Sequence, residues 1–181
     1  CLAKRDTQGL ASSGIVRHQS IYTDMSIPGA ASEIYSIATW NPEEYINIRI
    51  VSEVCRAGNC SLAGFAAMPP AHGEFFDGLV MNSTYAGTTR KDAIVVTHEI
   101  GHYLGLFHTF LEGCANDDCL SNGDRVCDTP PDNMTGPFPC DVIYNTCITD
   151  EDDASINNPF RSIALGGIGD QPDMIQNFMD Y

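Results

Sequence analysis

The segment "HEIGHYLGLFH", residues 98–108, determines how the chain is organised, because it joins a helical pattern to three histidines. His98 and His102 are four residues apart, so their side chains lie about 40° apart around the axis of an α-helix. Two imidazoles on one helical face can bind one metal ion. Gly105 stands where the helix is expected to end, since glycine adopts left-handed backbone angles at little cost. The turn would bring His108 toward the same ion as a third nitrogen ligand.

This spacing predicts a catalytic metal site rather than a structural one. Three protein ligands and a water are typical of catalytic zinc, whereas structural zinc sites fill all four positions with protein atoms. Zinc lowers the pKa of its bound water to about 7, which produces a nucleophile at neutral pH. Glu99 follows the first ligand but points away from the ligand face, so it can take the proton of that water and pass it to a leaving amine. The pattern HExxHxxGxxH should arise by chance in on the order of one such chain in ten thousand.

Composition narrows the classes of partner and environment. The 181 residues suffice for one domain, and the 24 acidic and 9 basic residues give a net charge of −15. This charge argues against nucleic acid and anionic membrane partners and suits cations, calcium included. No apolar run approaches the roughly 18 residues of a membrane span. The eight cysteines favour a secreted, extracellular protein with several disulfides.

Periodicity predicts an α+β fold. Strand-like patterns cover the following segments: 2–4, 14–22, 45–54, 62–70 and 77–85. Isoleucines alternate with polar residues in 45–54, as in a half-buried strand, and the proline pair that ends 62–70 favours the edge of a sheet. From Arg90 the apolar residues recur at helical spacing, and after His108 Gly, Pro, Asn, Asp and Cys dominate. We therefore expect strands first, one central helix, and then an irregular half held by disulfides.

Three motifs together resemble the metzincin zinc endopeptidases, and among them the pappalysin family with its ulilysin-type enzymes. They are "HEIGHYLGLFHTF" (98–110), "GDRVCDTPP" (123–131) and "NFMDY" (177–181). The resemblance implies a mixed twisted sheet with a central active-site helix, followed by an irregular disulfide-rich subdomain that ends at a methionine-bearing turn. It implies one catalytic domain over residues 1–181, with an N-terminal subdomain 1–105 and a C-terminal subdomain 106–181. The family's domain has further elements on both sides of this stretch, so we expect the chain to be part of a larger catalytic domain.

The resemblance also implies roles for particular residues. Met179 would lie in the turn beneath the zinc-binding histidines as an apolar floor; the lesser alternative is a methionine that fills a gap in the core. Tyr181 would reach the metal site and stabilise the tetrahedral intermediate. The "GDRVCDTPP" segment resembles a calcium-binding loop of the family, in which Asp124, Thr129 and Asp128 would supply oxygen ligands. A solvated acidic turn is the alternative for that loop.

Eight cysteines allow 105 pairings, so the sequence alone leaves the connectivity open. Cys55 and Cys60 are spaced to pair locally, and Cys119 and Cys127 are candidates to close the acidic loop. The family resemblance implies a Cys114–Cys147 pair. It also implies that the partner of Cys140 lies beyond Tyr181, and it leaves Cys1 without an evident partner.

The expected activity is that of a secreted metalloendopeptidase that hydrolyses peptide bonds in proteins. Peptidases of this clan hold an extended substrate along an edge strand through main-chain hydrogen bonds, and "LAGFAAM" (62–68) is the candidate edge. One alternative is a catalytically silent zinc-binding module, either a pseudoenzyme or an adhesion domain, which would not need Glu99. Another is a structural zinc domain with a fourth protein ligand, to which Gly105 and Met179 would contribute nothing.

Overall fold

The computed structural model describes residues 2–37, 39–87, 89–133, 139, 141–147 and 154–180. The chain divides into two compact units, Cys1–Gly105 and Leu106–Tyr181. Regular structure is concentrated in the first unit, which contains α1 (Ala30–Ser36), β1 (Ile48–Val51), β2 (Val54–Arg56), β3 (Asn59–Leu62), β4 (Gly64–Ala66), β5 (Leu79–Asn82) and α2 (Arg90–Tyr103). Neither helix has the length and apolar character needed to cross a membrane, as judged over the described residues. These elements confirm the α+β prediction.

A mixed three-stranded sheet forms the centre of the first unit. Its strand order is β1-β5-β4, with β5 parallel to β1 and antiparallel to β4, so β4 lies at an edge. The central strand β5 is buried on both faces, because Leu79, Val80 and Met81 are each at most 1% exposed. Val80 belongs to a cluster that includes residues of α1, and Leu79 packs with Ala66 and with Tyr103 of α2. Successive side chains of β5 point to opposite faces of the sheet, so Val80 packs in the cluster that contains α1 and Leu79 in the cluster that contains α2.

The N-terminal segments differ from the sequence prediction. No strand forms at 2–4 or 14–22 in the described residues. An isolated bridge joins Arg5 and Ala11, which lie between the two segments. Ile15, Val16 and Ile21 are between 48% and 79% exposed. A β-branched run without a neighbouring strand gains neither ladder hydrogen bonds nor a buried face, so its propensity alone does not produce a strand.

Helix α1 was absent from the sequence prediction. It is the shorter of the two α-helices that the structure describes, seven residues long, and buries Ala30 and Ile34 at a spacing of four. Two apolar positions in so short a segment give a weak periodic signal. The helix is stabilised by packing onto the sheet cluster that contains Val51, Val54 and Val80 rather than by its own propensity.

Helix α2 ends where the sequence predicts. Its last residue is Tyr103, and the N–H of Gly105 donates to the carbonyl of His102 at 2.9 Å. Gly105 has φ +96°, a left-handed angle, and a Cβ at this position would lie 3.1 Å from Cγ of Pro69. Both the backbone angle and the close approach of the proline favour glycine here.

Disulfides and local hydrogen bonds hold the second unit together. Regular structure among its described residues is limited to the 3₁₀ helix Ile163–Leu165. Cys114–Cys147 and Cys119–Cys127 cross-link this unit, and Cys55–Cys60 closes the β2–β3 hairpin of the first. These are the pairs named above as candidates. Cys1 and Cys140 lie outside the described residues.

Candidate metal centre

Three histidine side chains converge at the C-terminal end of α2. One ring nitrogen each from His98, His102 and His108 lies within 4.8 Å of the others, and none of the three residues is exposed. The rings of His98 and His102 are 4.7 Å apart and nearly perpendicular, at 89°. The ring of His108 stacks on Phe110 with centroids 4.7 Å apart. The predicted ligands are thus brought together by one helical turn and the glycine turn that follows it.

The donor set fits zinc. Imidazole nitrogen binds Zn²⁺ at about 2.0–2.1 Å, whereas Ca²⁺ and Mg²⁺ prefer oxygen ligands. Nitrogens that share one such ion stand about 3–4 Å apart, so donors within 4.8 Å of one another need only small ring rotations. Among the described residues, no other group of three or more His, Cys, Asp and Glu side chains comes close enough to hold an ion.

Glu99 is buried next to the first ligand in the chain. Its side chain is 5% exposed, and Oε2 has no hydrogen-bond partner among the residues described. Burial raises the pKa of Glu99 to about 7, and the positive charge of Arg56 acts in the opposite direction. A carboxylate with a pKa near neutrality can both accept and return a proton. The burial of a free carboxylate oxygen is costly, so it calls for a functional explanation.

Strand β4 passes directly against the Glu99 side chain. A Cβ added to Gly64 would lie 3.1 Å from both Cγ and Oε1 of Glu99 and 3.0 Å from the carbonyl oxygen of Val80. Glycine at this position therefore lets the strand backbone approach the carboxylate. Sequence reasoning missed Gly64, although a glycine within a strand is a known sign of close backbone approach.

The hydrogen-bonding pattern shows which backbone groups of β4 face the open edge. The carbonyl of Ala63 accepts from Asn82 N–H, and the N–H of Ala67 donates to Gly78, each at 2.9 Å. Because the pattern alternates along an antiparallel strand, the backbone groups of Gly64 and Ala66 point away from β5. The predicted edge segment 62–68 therefore presents donors and acceptors beside Glu99.

The turn 177–180, called the Met-turn below, is tied to the chain that follows His108. Met179 is 4% exposed, and its carbonyl accepts a hydrogen bond from the Thr109 N–H at 3.3 Å. Within the turn, the Met179 N–H donates to Oδ1 of Asn177 at 3.0 Å. Tyr181 lies outside the described residues.

Three buried aspartates surround this connection in the second unit. Asp132 accepts from the hydroxyls of Thr109 at 3.4 Å and Thr146 at 3.1 Å, and Asp173 accepts from the Thr146 N–H at 3.0 Å. Asp180 is 8% exposed, and neither of its carboxylate oxygens has a partner among the described residues. Burial, together with the charges of Asp132 and Asp173, raises the pKa of Asp180 to about 6. The sequence contained no signal for this cluster, since its members are 41 and 7 residues apart (132 to 173, 173 to 180).

The predicted calcium loop surrounds a cavity of about 20 Å³, roughly the size of one water molecule. Asp124 and Thr129 line it, together with Asn116 and Asn158, which lie outside the motif and were missed. Asp128 is not among the lining residues. Burial raises the pKa of Asp124, and its Oδ1 accepts from the Val126 N–H at 2.9 Å. The cavity is therefore lined by oxygen-bearing residues from three separate segments.

Comparison with known proteins agrees with this geometry. Residues 30–160 match the sequence profile of the Peptidase_M43 family, described as pregnancy-associated plasma protein-A. The chain belongs to this pappalysin family. It is 35% identical over 88 residues to an extracellular metalloprotease of Colletotrichum graminicola, a match that covers 46% of this chain and 30% of that protein. Extracellular metalloprotease 1 of Coccidioides posadasii is 36% identical over 85 residues, which cover 47% of this chain and 21% of the relative. The matched segments thus span less than a third of these relatives.

Solved structures also resemble this chain. Mature mirolysin from Tannerella forsythia, determined in complex with a cleaved peptide, superposes with a TM-score of 0.64 at 24% sequence identity. The match covers 99% of this chain and 61% of mirolysin. Promirolysin of the same species gives a TM-score of 0.63 at 23% identity and is covered over 53% of its length. At this identity the likeness establishes that the chain shares the fold of mirolysin.

The buried Asp180 carboxyl predicts a pH-dependent stability. Below pH 3.8 this carboxyl is protonated in both the folded and the unfolded state, so its burial carries no ionisation penalty. Between 3.8 and the folded-state pKa of about 6, the unfolded state ionises first, and the stability of the native protein falls as pH rises. Asp180→Asn should remove this loss, so the variant should gain melting temperature over the native protein at about pH 7.5 but little at about pH 4.

Thermal unfolding of the metal-free protein by circular dichroism would measure this difference. Asp117→Asn, which changes an exposed aspartate of the same unit, serves as the matched control. A melting-temperature gain for Asp180→Asn that is equal at both pH values would contradict the role assigned to this carboxyl.

Proposed function

We propose that residues 1–181 form a metallopeptidase catalytic domain, or most of one, from a secreted zinc-dependent endopeptidase, in which Glu99 is the general base. The observation that carries the proposal is the cluster of three imidazoles beside a buried carboxylate with a free oxygen. Membership in the pappalysin family supports the reaction class. The disulfides and the extracellular relatives support secretion.

His98, His102 and His108 would hold the zinc ion. When bound, zinc supplies a Lewis acid that acidifies water and polarises the scissile carbonyl. The chain contributes the orientation of its ligands: two are fixed by one face of α2, and the third by the turn at Gly105 and by stacking on Phe110. Rigid ligand placement keeps the site in one geometry throughout the reaction.

Glu99 would accept the proton of the attacking water and deliver it to the leaving amine. Its burial keeps the pKa near 7, so the carboxyl is a base strong enough to take a proton and an acid strong enough to release it at neutral pH. Its Oε2 has no structural hydrogen bond to break before it acts, as judged from the described residues.

The peptide substrate would add a strand to the edge of β4. The outward-facing backbone groups of Gly64 and Ala66 would pair with it, and the absence of a side chain at Gly64 keeps this edge next to Glu99. Met179 would form the apolar floor of the metal site, and Tyr181 would stabilise the oxyanion that develops on the substrate. Main-chain pairing does not require a chain terminus, which suits an endopeptidase. The backbone pairing would supply affinity, and side-chain pockets would supply specificity.

The main alternative is a catalytically silent zinc-binding module. Three histidines would suffice for such a module, and Glu99 would then be expected to form a structural hydrogen bond or to be replaced by an apolar residue. The free Oε2 of Glu99 and the adjacent Gly64 favour catalysis instead. A buried oxygen without a hydrogen bond and a glycine within a strand each lower stability, and neither has an evident structural role.

Removing the carboxylate of Glu99 tests the proposal. Glu99→Ala and Glu99→Gln should each lower kcat/KM for a denatured protein substrate by at least about 10²-fold while the protein still binds one zinc ion per chain. Activity would be measured with a casein-type substrate and metal content by elemental analysis. Chelation should abolish the activity of the native protein, and zinc should restore it.

Glu33→Gln, a substitution at an exposed position of α1, is the matched control and should retain full activity. Full activity of Glu99→Ala with zinc bound would rule out the assigned base. Absence of activity in the native protein, under conditions in which zinc is bound, would favour the silent module.

Gly64→Ala tests the contact between β4 and the base. The added Cβ would have to displace Glu99 by a few tenths of an ångström, which should lower kcat/KM about tenfold without loss of zinc. Ser61→Ala, at an exposed position of β3, is the control and should leave the kinetics unchanged. Unchanged kinetics in Gly64→Ala, with a normal circular dichroism spectrum, would remove this contact from the mechanism.

We also propose that the cavity of the 123–131 loop binds calcium. Asp124 and Thr129 would be ligands as the sequence indicates, with Asn116 and Asn158 in place of Asp128. Oxygen ligands of mixed type in a small buried cavity suit Ca²⁺. Burial raises the pKa of Asp124, and a bound cation would offset this effect by stabilising the ionised carboxylate.

Calcium should therefore stabilise the native protein but not an Asp124→Asn variant. Ligand binding at about 100 times Kd contributes roughly 2.7 kcal/mol, enough for a melting-temperature rise of several degrees. The measurement is a thermal melt of the zinc-loaded protein with and without added calcium. Asp128→Asn should keep the calcium response, and loss of the response in this variant instead of Asp124→Asn would contradict the ligand set.

A further inference from the structure

A groove of about 540 Å³ lies within the first unit. Its walls include residues 65–68, which form the end of β4 and its continuation, and Tyr35 of α1. The remaining walls are mostly apolar and include Met25 and Phe76. This volume is larger than one side chain and falls within the range of small-ligand pockets in proteins.

The groove extends from the α1 side of the sheet to the open edge of β4. Side chains of consecutive strand residues point to opposite faces, yet Phe65 and Ala66 of β4 both line the groove, as do Ala67 and Met68 beyond it. A cavity that touches residues of both orientations reaches the strand edge. This is the same edge to which the backbone groups of Gly64 and Ala66 are directed.

Arg56 brings a positive charge to this groove. It is the one lining residue with a formal charge, and its guanidinium lies over the ring of Phe65 at 5.3 Å from the centroid. Its side chain makes no hydrogen bond or ion pair with the described residues. The nearby Arg49, by contrast, donates to the Asp77 carbonyl at 2.9 Å and to the Thr39 hydroxyl at 3.0 Å. The guanidinium donors of Arg56 are therefore available to a ligand.

Two features hold Arg56 in position. The aromatic ring of Phe65 supports the planar guanidinium, and the Cys55–Cys60 disulfide closes the short hairpin that begins next to it. Arg56 is exposed to solvent, so these two contacts are what orient its side chain. An arginine fixed over an aromatic ring and next to an apolar groove is a common anchor for carboxylate ligands.

We propose that this groove is a substrate subsite for an acidic residue with apolar neighbours, and that Arg56 binds its carboxylate. The proposal rests on the endopeptidase function proposed above and adds a side-chain preference to the backbone pairing along β4. The apolar walls would receive the flanking side chains, while the guanidinium fork would donate to the Glu or Asp carboxylate.

At this subsite, the attraction between Arg56 and a substrate carboxylate would exceed the repulsion from the net negative charge of the chain. The net charge of −15 repels acidic peptides at long range, but salt screens exposed charges beyond about 8 Å at physiological ionic strength. Within the groove the carboxylate would be in direct contact with Arg56. The net effect is a preference for acidic residues at one subsite, with slower association of strongly acidic substrates overall.

The test uses peptides with blocked termini in which one Glu is moved, position by position, along an otherwise neutral apolar sequence. Each is paired with the same peptide carrying Gln, so side-chain charge is the one variable and terminal carboxylates are excluded. At one position, kcat/KM should be about three- to tenfold higher for Glu than for Gln, and the ratio should shrink toward one in about 1 M salt. Mass spectrometry of the products assigns that position relative to the cleaved bond.

Variants of Arg56 then assign the preference. Arg56→Gln should bring the Glu-to-Gln ratio to one, and Arg56→Glu should favour Lys at the same position. Arg17→Gln, which removes an exposed charge outside the groove, should leave the ratio unchanged. The ratio, rather than absolute activity, is the readout, because it is independent of any general effect of Arg56 on Glu99.

Peptide binding separates this proposal from the catalytic one. Zinc-loaded Glu99→Gln protein should bind the Glu peptide more tightly than the Gln peptide in fluorescence anisotropy, and Arg56→Gln in the same background should abolish the difference. This outcome supports the subsite even if the native chain cleaves no peptide, which would overturn only the proposed activity. Equal binding and equal cleavage of all Glu and Gln pairs, or a preference that persists in Arg56→Gln, would overturn the subsite.

Discussion

The end of helix α2 is the constraint on which the rest of the site depends. His98 and His102 can share an ion because one helical turn separates them, but the third histidine joins them only if the chain leaves the helix at once. Gly105 makes this possible with φ +96°, while Pro69 packs close to its Cα. A side chain at this position would be strained in its backbone and crowded by the proline. The metal site is therefore a consequence of how one helix terminates.

The same helix places the carboxylate of Glu99 in a buried position. Glu99 occupies the α2 face that packs against the sheet, and β4 closes over it because Gly64 has no side chain. Burial raises the pKa of the carboxyl to about 7, which gives a proton acceptor suited to neutral pH. The edge of β4 also carries the outward-facing backbone groups and the groove with Arg56. The proposed base, the substrate edge and the acidic subsite are thus arranged along one short strand.

The second unit achieves order with little regular structure. Disulfides shorten its loops, and side chains satisfy backbone groups that helices and strands would otherwise pair: Asn177 binds the Met179 N–H, and Asp173 binds the Thr146 N–H. The Met-turn is joined to the histidine segment through Thr109. A buried acidic cluster beside this connection leaves Asp180 without a partner among the described residues, and burial together with the neighbouring charges raises its pKa to about 6.

The sequence alone determined the features that depend on local spacing. The three histidines, the helix that carries two of them and the glycine that ends it were predicted because neighbouring residues fix their relative geometry. Tertiary structure decided everything that requires a distant partner. Residues 14–22 have strand propensity but no strand to pair with, and so they stay irregular. The roles of Gly64, Arg56 and Asp180 likewise arise from groups far away in the sequence, since burial and charge at a residue are set by whatever the fold packs against it.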